Sequence, residues 1–208
     1  MYNRKCKAKI ISLSLALLLV ISTIGGFMSQ SFTAEAADTD IIEISNEDEL
    51  ISFANSCRND SYSFGRKVIS ITKDGFEGIA YFNGTFDGGN HTIRNLNKEY
   101  IGSDYGFFRY LGEDAYVYNL SVSGTITASG SQKNIGGIAG VNYGTISNCA
   151  YVGKLSGGTA AGGIAGVNKA GARLINCNSD ADISATNQTG GIAGNNQGII
   201  SGCISRSN

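Results

Sequence analysis

The 208-residue sequence contains no proline and no tryptophan, and His91 is its one histidine. Collagen stalks, proline-rich linkers and mucin-like stems all need proline, so these classes are excluded. A proline-containing sortase anchor is excluded for the same reason. A single histidine cannot supply a metalloprotease zinc motif or a cage of several histidines. Charged residues are also scarce, at 16% of the sequence, against about 25% in an average globular domain.

Glycine is the abundant residue instead. It occupies 29 of the 208 positions, about twice its usual share. Hydrophobic residues make up 42% of the sequence, which is enough for a packed core and argues against disorder. The net charge is −1, so no basic field indicates a nucleic-acid partner.

Residues 1–36 have the pattern of a secretory signal peptide. A basic segment opens it, an apolar run extends from Ile10 to about Ile24, and Ala34-Glu35-Ala36 fits an A-x-A cleavage site. We therefore expect cleavage after Ala36 and a secreted or cell-surface protein with no remaining membrane span. The alternative is an uncleaved membrane anchor, but the apolar run has about 15 residues and a span needs about 20.

The chain that remains after cleavage, residues 37–208, has a length that suits one domain. Four basic residues and one acidic residue fall in the leader, so residues 37–208 carry a net charge of −4. The acidic residues concentrate in the first half of this chain. From Asn134 onward there are four basic residues and two acidic ones, Asp180 and Asp182.

A repeat of 26 to 28 residues organises the second half of the chain. The segment Gly136-Gly137-Ile138-Ala139-Gly140-Val141-Asn142 begins again at Gly162 and, with one change, at Gly190. The second step is longer by two residues, inserted around Lys169–Arg173. Each copy leads through a glycine and a short apolar stretch to a cysteine: Cys149, Cys177 and Cys203.

A weaker fourth copy lies upstream of these three. Gly106-Phe107-Phe108 aligns with Gly163-Ile164-Ala165, and Val117-Tyr118-Asn119-Leu120 aligns with Leu174-Ile175-Asn176-Cys177. Short β-branched runs separated by glycine, asparagine and serine are typical of strands joined by tight turns. Because a single repeat cannot bury its own apolar side, we predict an all-β fold in which the repeats stack as a parallel β-helix, or β-solenoid.

The segment before the repeats reads as an N-terminal cap. Residues 40–44 and 68–72 are predicted strands. Asn46 and Glu49 form a capping-box-like helix start, and an amphipathic helix follows that would cover the open end of the coil. Its predicted inner face is formed by Leu50, Phe53, Ala54 and Cys57. Residues 37–104 are therefore assigned to the cap and the first coil, and residues 105–208 to the repeats.

The three Gly-Gly-Ile-Ala-Gly copies and the cysteine segments that follow them resemble the GLUG repeat of bacterial extracellular proteins. The segment from Phe82 to Leu96 resembles the F-x-G-T-F-D-G-N-G-H-T-I-x-N-L entry that precedes such repeats, with the glycine and asparagine before His91 exchanged. The resemblance covers about Ile42 to Ser207 and implies a right-handed parallel β-helix on a secreted or surface protein. Departures are Asn195 for the repeat's valine and Gly202 for its asparagine. The family offers no catalytic residues to transfer.

The recurring glycines and cysteines have structural interpretations. Three glycine clusters without following helices favour turns and close coil packing over phosphate loops. Sixteen of the 29 glycines lie between Gly136 and Gly202, mostly at expected turn positions. Cys149, Cys177 and Cys203 would stack on successive coils about 4.8 Å apart, with side chains too parallel for disulfides or a shared zinc ion. Leu120 at the equivalent position favours small buried hydrophobic residues.

Several polar residues are candidates for a functional site. Two rows of asparagine recur, Asn142, Asn168 and Asn196 after the glycine motif and Asn119, Asn148 and Asn176 before the core position. Asparagine tolerates left-handed turns, and amides stacked on successive coils can bond to one another, so we expect turn residues and amide ladders rather than the alternative, a glycan-binding row. His91, four residues after Asp87, is expected to make a turn or end-of-coil hydrogen bond rather than to act in catalysis. Asp180 and Asp182 would share a strand face but are too few for a calcium site or a glycosidase. No catalytic residue, metal or cofactor is therefore assigned.

An aromatic segment is the best candidate for an interaction surface. Tyrosine can stack on a glycan or a protein partner and add a hydroxyl contact. The alternative is that several of these rings fill a wide first coil, as expected for Phe107 and Phe108. Tyr116 and Tyr118 alternate with Val117, so they should face opposite to it. The candidate residues are Tyr100, Tyr105, Tyr110, Tyr116 and Tyr118.

These features favour a secreted, non-enzymatic β-helix for adhesion or interaction with a host or cell-wall glycan or protein. One alternative is a carbohydrate-active β-helix enzyme. Another is the repeat region of a larger surface protein, because the last copy stops soon after Cys203 without a capping pattern. That open coil would also allow self-association.

Overall fold

The computed structural model describes residues 42–56, 61–64, 68–70, 76–101, 104–129 and 133–206. They belong to one compact unit, Asp38–Asn208. The leader, its expected cleavage site at Ala36, and Cys57 lie outside the described residues. Within the described ranges, no helix is both long and apolar enough to cross a membrane.

The described chain is built from parallel strands and one helix, α1 (Glu47–Ser56). The strands are β1 (Ile42–Ile44), β2 (Ser61–Phe64), β3 (Val68–Ser70), β4 (Ile79–Phe82), β5 (Thr85–Arg94), β6 (Lys98–Ile101), β7 (Phe108–Leu111), β8 (Tyr116–Ser129), β9 (Asn134–Gly136), β10 (Ala139–Asn142), β11 (Thr145–Ser147), β12 (Ala150–Gly157), β13 (Ala160–Gly162), β14 (Ala165–Asn168), β15 (Arg173–Ile175), β16 (Asn178–Ser184), β17 (Gln188–Gly190), β18 (Ala193–Asn196), β19 (Ile199–Ser201) and β20 (Ile204–Ser205).

These strands stack into three sheets. Sheet B contains β4, β7, β10, β14 and β18, sheet C contains β9, β13 and β17, and the remaining 12 strands form sheet A. From β9 onward each repeat gives one strand to sheet C, one to sheet B and two to sheet A, and so forms one coil. We number the coils as coil 1 (β7–β8), coil 2 (β9–β12), coil 3 (β13–β16) and coil 4 (β17–β20). The predicted β-solenoid is confirmed.

The strand register follows the sequence repeat. Ala139 pairs with Ala165 and Ala165 with Ala193, which reproduces the steps of 26 and 28 residues. Phe108 pairs with Ala139, so the weak upstream copy is coil 1. The side chain at this place is aromatic in coil 1 and a methyl group in the later coils.

Helix α1 caps the first coils as predicted. The Glu49 amide donates to Asn46 Oδ1 at 3.0 Å, and the Ser45 amide donates to Glu49 Oε2 at 2.6 Å. Leu50 and Phe53 are buried, and the Phe53 ring lies 6.0 Å from the ring of Phe82. Burial of such a side chain stabilises the fold by roughly 1.5–3 kcal/mol.

The repeated glycines allow sheet B and sheet C to touch. A Cβ on Gly140 would lie 2.8 Å from the Tyr105 nitrogen, one on Gly166 2.7 Å from the Ile135 nitrogen, and one on Gly194 2.6 Å from the Ala161 nitrogen. These distances are too short for a methyl group, so a larger residue would push the sheets apart. The expected close packing is therefore confirmed. The expected turn position is wrong for Gly140, Gly166 and Gly194, because these three glycines lie inside strands.

A row of side-chain contacts on the outside joins the same two sheets; we call it the B–C seam. In coil 1 the Tyr110 hydroxyl donates to Asp104. In coils 2 and 3, Val141 and Val167 pack with Ala160. In coil 4 the Asn195 amide donates to Gln188 Oε1 at 3.0 Å. Asn195 therefore replaces valine where the seam partner is also polar.

The two structures expected of the recurring asparagines, an amide ladder and left-handed turns, are divided between the two rows. The Asn142 amide donates to Asn168 Oδ1 at 2.9 Å, and the Asn168 amide donates to Asn196 Oδ1 at 2.8 Å. Asn142 and Asn168 are fully buried. Removal of one partner would strand a buried amide, at a cost of about 1–3 kcal/mol. The second structure is a row of left-handed turn residues, formed by Asn90, Asn119, Asn148, Asn176 and Gly202.

Candidate interaction surface

Strand β8 carries two tyrosines on the outer face of sheet A. Val117 between them is buried, so the predicted alternation is confirmed. The rings of Tyr116 and Tyr118 are stacked, with centroids 4.8 Å apart and planes at 22°. Tyr116 is 42% exposed. Each ring restricts the other, so less side-chain freedom would be lost when a partner binds.

Asp87 lies beside this stack, on the neighbouring strand. It pairs in register with Tyr118. Burial of the ring and the Asp87 carboxylate raise the pKa of the Tyr118 hydroxyl. The same carboxylate accepts hydrogen bonds from the Gly89 amide at 2.9 Å and from Asn119 Nδ2 at 3.2 Å. Asp87 therefore fixes both the turn at Gly89 and the side chain of Tyr118. His91 is not among these contacts.

The other three predicted tyrosines behave differently. Tyr105 is fully buried and bridges to Ile135, so its prediction as a surface residue is wrong. The turn before β7 places it at the position of sheet C, where side chains fill the coil. Tyr110 is half-buried in the B–C seam, where its hydrogen bond to Asp104 and burial raise its pKa to about 12. Tyr100 lies on β6, but its side chain lies outside the described residues.

Two further tyrosines are exposed and were missed from the sequence. Tyr81 on β4 is 50% exposed, and Tyr143, between β10 and β11, is 41% exposed. Tyr81 pairs with Tyr110 in the register, and Tyr143 follows the repeated Asn142. Their signal was available, since Tyr81 is two residues from the buried Ile79 on one side and adjacent to the buried Phe82 on the other. Both tyrosines stand outside the aromatic segment that holds the predicted surface residues.

The turns between sheet B and sheet A form a corner of alternating length. Two residues connect β4 to β5, four connect β7 to β8, two connect β10 to β11, four connect β14 to β15, and two connect β18 to β19. Both long turns are closed alike: the Ala115 amide donates to the Gly112 carbonyl at 3.1 Å, and the Ala172 amide to the Lys169 carbonyl at 3.0 Å. The predicted insertion is therefore confirmed, except that Arg173 begins β15 rather than lying in the loop.

The long turns carry opposite charges. In coil 1 the turn contains Glu113 and Asp114, both exposed. The Asp114 amide donates to Asn83 Oδ1 at 3.0 Å, and its carboxylate accepts from Asn83 Nδ2 at 3.2 Å. In coil 3 the turn begins with Lys169 and leads into the exposed Arg173. Acidic and basic groups thus lie at the same corner, two coils apart.

His91 and the two late aspartates lie at separate places. His91 pairs with Leu120, so it occupies the cysteine row one coil before the repeats and is partly buried. Asp180 and Asp182 lie on β16 and share one of its faces, as predicted; both are exposed and pair with Val152 and Lys154. A shallow groove of about 340 Å³ adjoins Asp180. In the described ranges, no group of three or more His, Cys, Asp or Glu side chains is placed to hold a metal ion.

The three repeat cysteines form the predicted row and are free thiols. Cys149 and Cys177 are buried, and burial raises the Cys149 pKa to about 12. Cys203 is half-buried on the last coil and accepts a hydrogen bond from the Cys177 amide at 3.3 Å. Hydrogen bonds from Cys177 lower the Cys203 pKa, whereas that of Cys177 is raised by the same contact and by burial.

Comparison with known sequences finds a relative that matches part of the chain. No family model matches the chain. Halomucin from Haloquadratum walsbyi (strain DSM 16790 / HBSQ001) is 28% identical over 160 residues, which cover 68% of this chain and 2% of halomucin. This chain therefore spans a small fraction of the length of that relative.

A solved structure supports the same architecture. The crystal structure of a "putative immunoglobulin A1 protease" from Bacteroides ovatus matches with a TM-score of 0.62 and 19% sequence identity. The match covers 82% of this chain and 67% of the other. This chain shares its fold. At this level of identity the likeness extends to the β-solenoid and not to activity.

Proposed function

We propose that this protein is a non-catalytic interaction module of the cell exterior, built as a GLUG-type solenoid and directed at a glycan or a protein. The observation that carries the proposal is the set of exposed tyrosines around the corner between sheets B and A. Tyr81, Tyr116 and Tyr143 each expose two-fifths or more of their surface. The other turn residues at this corner are glycine, alanine, two amide side chains and the charged residues Glu113, Asp114 and Lys169.

Exposed tyrosines on a rigid scaffold suit recognition. A tyrosine offers a large apolar ring, a hydroxyl and few rotatable bonds, so it gives contact area at a low entropic cost. Parallel strands hold the backbone under Tyr81 and Tyr116 in fixed register, and the stack fixes Tyr116 and Tyr118 further. The absence of tryptophan means that aromatic stacking on a sugar would rely on these tyrosines.

The exterior location rests on the leader pattern of residues 1–36 and on the GLUG-like repeats. We propose that the leader is removed after Ala36. Determination of the N-terminal residue of the exported protein tests this step directly. An N-terminus at Ala37 in the medium or cell-wall fraction is the expected result, and an intact leader in the membrane fraction would contradict it.

Binding is tested with the purified protein on glycan and matrix-protein arrays. For any ligand found, Tyr116→Ala and Tyr143→Ala should each weaken binding about tenfold, as is usual when an aromatic contact is lost. Ile204→Ala is the matched control, because Ile204 is 54% exposed on coil 4, away from the corner.

Three results would contradict the proposal. Binding that is insensitive to every corner tyrosine would remove the proposed surface. Absence of any ligand or partner would remove the binding function. Cleavage of a polysaccharide by the purified protein would show an enzyme instead, with the exposed acidic residues as the first candidates.

A further inference from the structure

At the corner between sheets B and A, charges of opposite sign lie on the two sides of coil 2. The turn of coil 1 carries Glu113 and Asp114, the short turn of coil 2 carries no charge, and the turn of coil 3 leads from Lys169 to Arg173. Neighbouring strands in a sheet are about 4.8 Å apart. The acidic and basic turns therefore lie at nearly equal distances on either side of coil 2.

On the adjoining face of sheet A, two different exposed side chains flank coil 2 in the same way. Tyr116, Thr145 and Arg173 occupy one row across coils 1, 2 and 3. Tyr116 and Arg173 are exposed, and Thr145 is partly exposed. Strands β11, β15 and β19 carry one charged residue among them, Arg173. An aromatic ring and a guanidinium thus flank a small neutral residue.

We propose that this face binds a second copy of the same chain, side by side and antiparallel, with a two-fold axis through coil 2. The inference rests on the proposed function, because it names the partner of the same surface. A two-fold axis brings each patch against its complement. Here it sets Glu113 and Asp114 against Lys169 and Arg173 of the partner subunit, twice.

The same rotation also supplies an aromatic contact. It places the Tyr116 ring against the partner's Arg173, a pair suited to a cation–π contact. The neutral turns at Tyr143 meet at the axis, where like charges would otherwise face each other. Asn83 holds the Asp114 turn by two hydrogen bonds, so the acidic side is ordered before the partner arrives.

Charge favours a second copy over an acidic polymer. An anion drawn to Lys169 and Arg173 would extend toward Glu113, Asp114 and Asp87 at the other end of the face. The chain after the leader is also net negative. A second copy satisfies both signs at once, which is electrostatic complementarity in its simplest form.

Sedimentation equilibrium of the purified protein tests the inference. We expect a reversible monomer–dimer equilibrium that weakens as salt is raised, because rim charges are screened. Replacing Lys169 and Arg173 by glutamate should raise the dimer Kd roughly tenfold or more, since like charges then face each other. Lys154→Glu is the control, because Lys154 is exposed on β12, away from the corner.

A charge exchange separates this contact from loss of folding. The Lys169→Glu/Arg173→Glu variant and a Glu113→Lys/Asp114→Lys variant should each be weakened as dimers. Mixed together they should form a heterodimer, because the acidic face of one meets the basic face of the other. Recovery in the mixture cannot come from misfolded chains.

Distinct outcomes overturn the inference. A monomer at all concentrations and salt conditions removes it, and a corner tyrosine-dependent ligand on the arrays would then leave the proposed function standing. A dimer lost through Ile204→Ser but not through the charge variants would place self-association at coil 4 instead. Failure of the mixed variants to associate would also overturn it. If the protein neither self-associates nor binds anything on the arrays, both proposals are wrong.

Discussion

One residue per coil sets the backbone direction where sheet A bends. Asn119, Asn148 and Asn176 have φ values of 55°, 50° and 51°, and Gly202 takes 65°. Asparagine and glycine tolerate this left-handed conformation better than other residues. The exchange of asparagine for glycine in coil 4 therefore keeps the turn, although it departs from the repeat.

Asn148 gives a direct test of this row, because its side chain is exposed and its replacement disturbs little packing. Asn148→Ala should lower the free energy of unfolding by about 1 kcal/mol through backbone strain. Asn148→Gly should cost less, since glycine adopts the same φ freely. Urea denaturation followed by circular dichroism measures both, and equal stability of the Ala variant and the native protein would contradict the explanation.

The cysteine row predicts selective reactivity. Cys203 has a pKa lowered to about 6 by hydrogen bonds from Cys177, whereas the buried Cys149 has a pKa raised to about 12. Because the thiolate is the reactive form, native protein at pH 7 should be alkylated at Cys203 well before Cys149 or Cys177. The rate at Cys203 should rise as the pH passes through about 6 and then level off.

Peptide mapping after brief iodoacetamide treatment across this pH range measures the effect. Urea-unfolded protein is the control, in which all cysteines should react alike. Equal labelling of the three thiols in the native protein would show that coil 4 does not protect or activate them as described.

At the scale of the element, the strand glycines of sheet B have a spacing that the sequence shows and a packing role that it does not show. Their spacing predicts a repeat, and the repeat predicts the register correctly. The sequence does not reveal that sheet C lies against these strands. Each of these glycines is required because backbone atoms from another part of the coil leave no room for a Cβ atom. The same contact between sheets placed Tyr105 in the interior, which local alternation could not indicate.

Gly166→Ala tests that contact. The added methyl group would meet the Gly140 oxygen and the Ile135 nitrogen at 2.7 Å, so the sheets must separate. We expect a loss of roughly 1–3 kcal/mol in the free energy of unfolding, as for other overpacked sites. Ser201→Ala on the exposed strand β19 should change stability by less than about 0.5 kcal/mol. Thermal unfolding compares the two variants. Similar melting temperatures would mean that the two sheets can accommodate a methyl group without loss of stability.

For the whole molecule, the repeat explains how much could be predicted. The solenoid, the coil register, the capping helix, the asparagine ladder and the cysteine row all follow from residues that recur or cap. Tyr81 and Tyr143 occur once each, so no repetition marks them. The symmetry of charge about coil 2 also needed the folded register, because Glu113 and Arg173 are 60 residues apart in the sequence.

The distribution of burial predicts that the solenoid is least stable at coil 4. Its strands β19 and β20 are exposed throughout, whereas β10 and β14 are buried at every position. Side chains that stay exposed contribute little burial free energy, so coil 4 should open first. Hydrogen–deuterium exchange should be fastest in residues 188–205 and slowest in coils 2 and 3. Equal protection of all four coils would indicate a single cooperative unit.

The corner between sheets B and A has a consequence for how such a protein can change. The chain inserts two extra residues there in coil 3 and in coil 1, yet Asn168 still pairs with Asn142, and Arg173 with Thr145. The length of this turn can therefore change without altering the register of the strands on either side of it. Foreign peptides grafted between Lys169 and Ala172 should be displayed without loss of the scaffold, which makes this turn a natural point for diversification and for engineering.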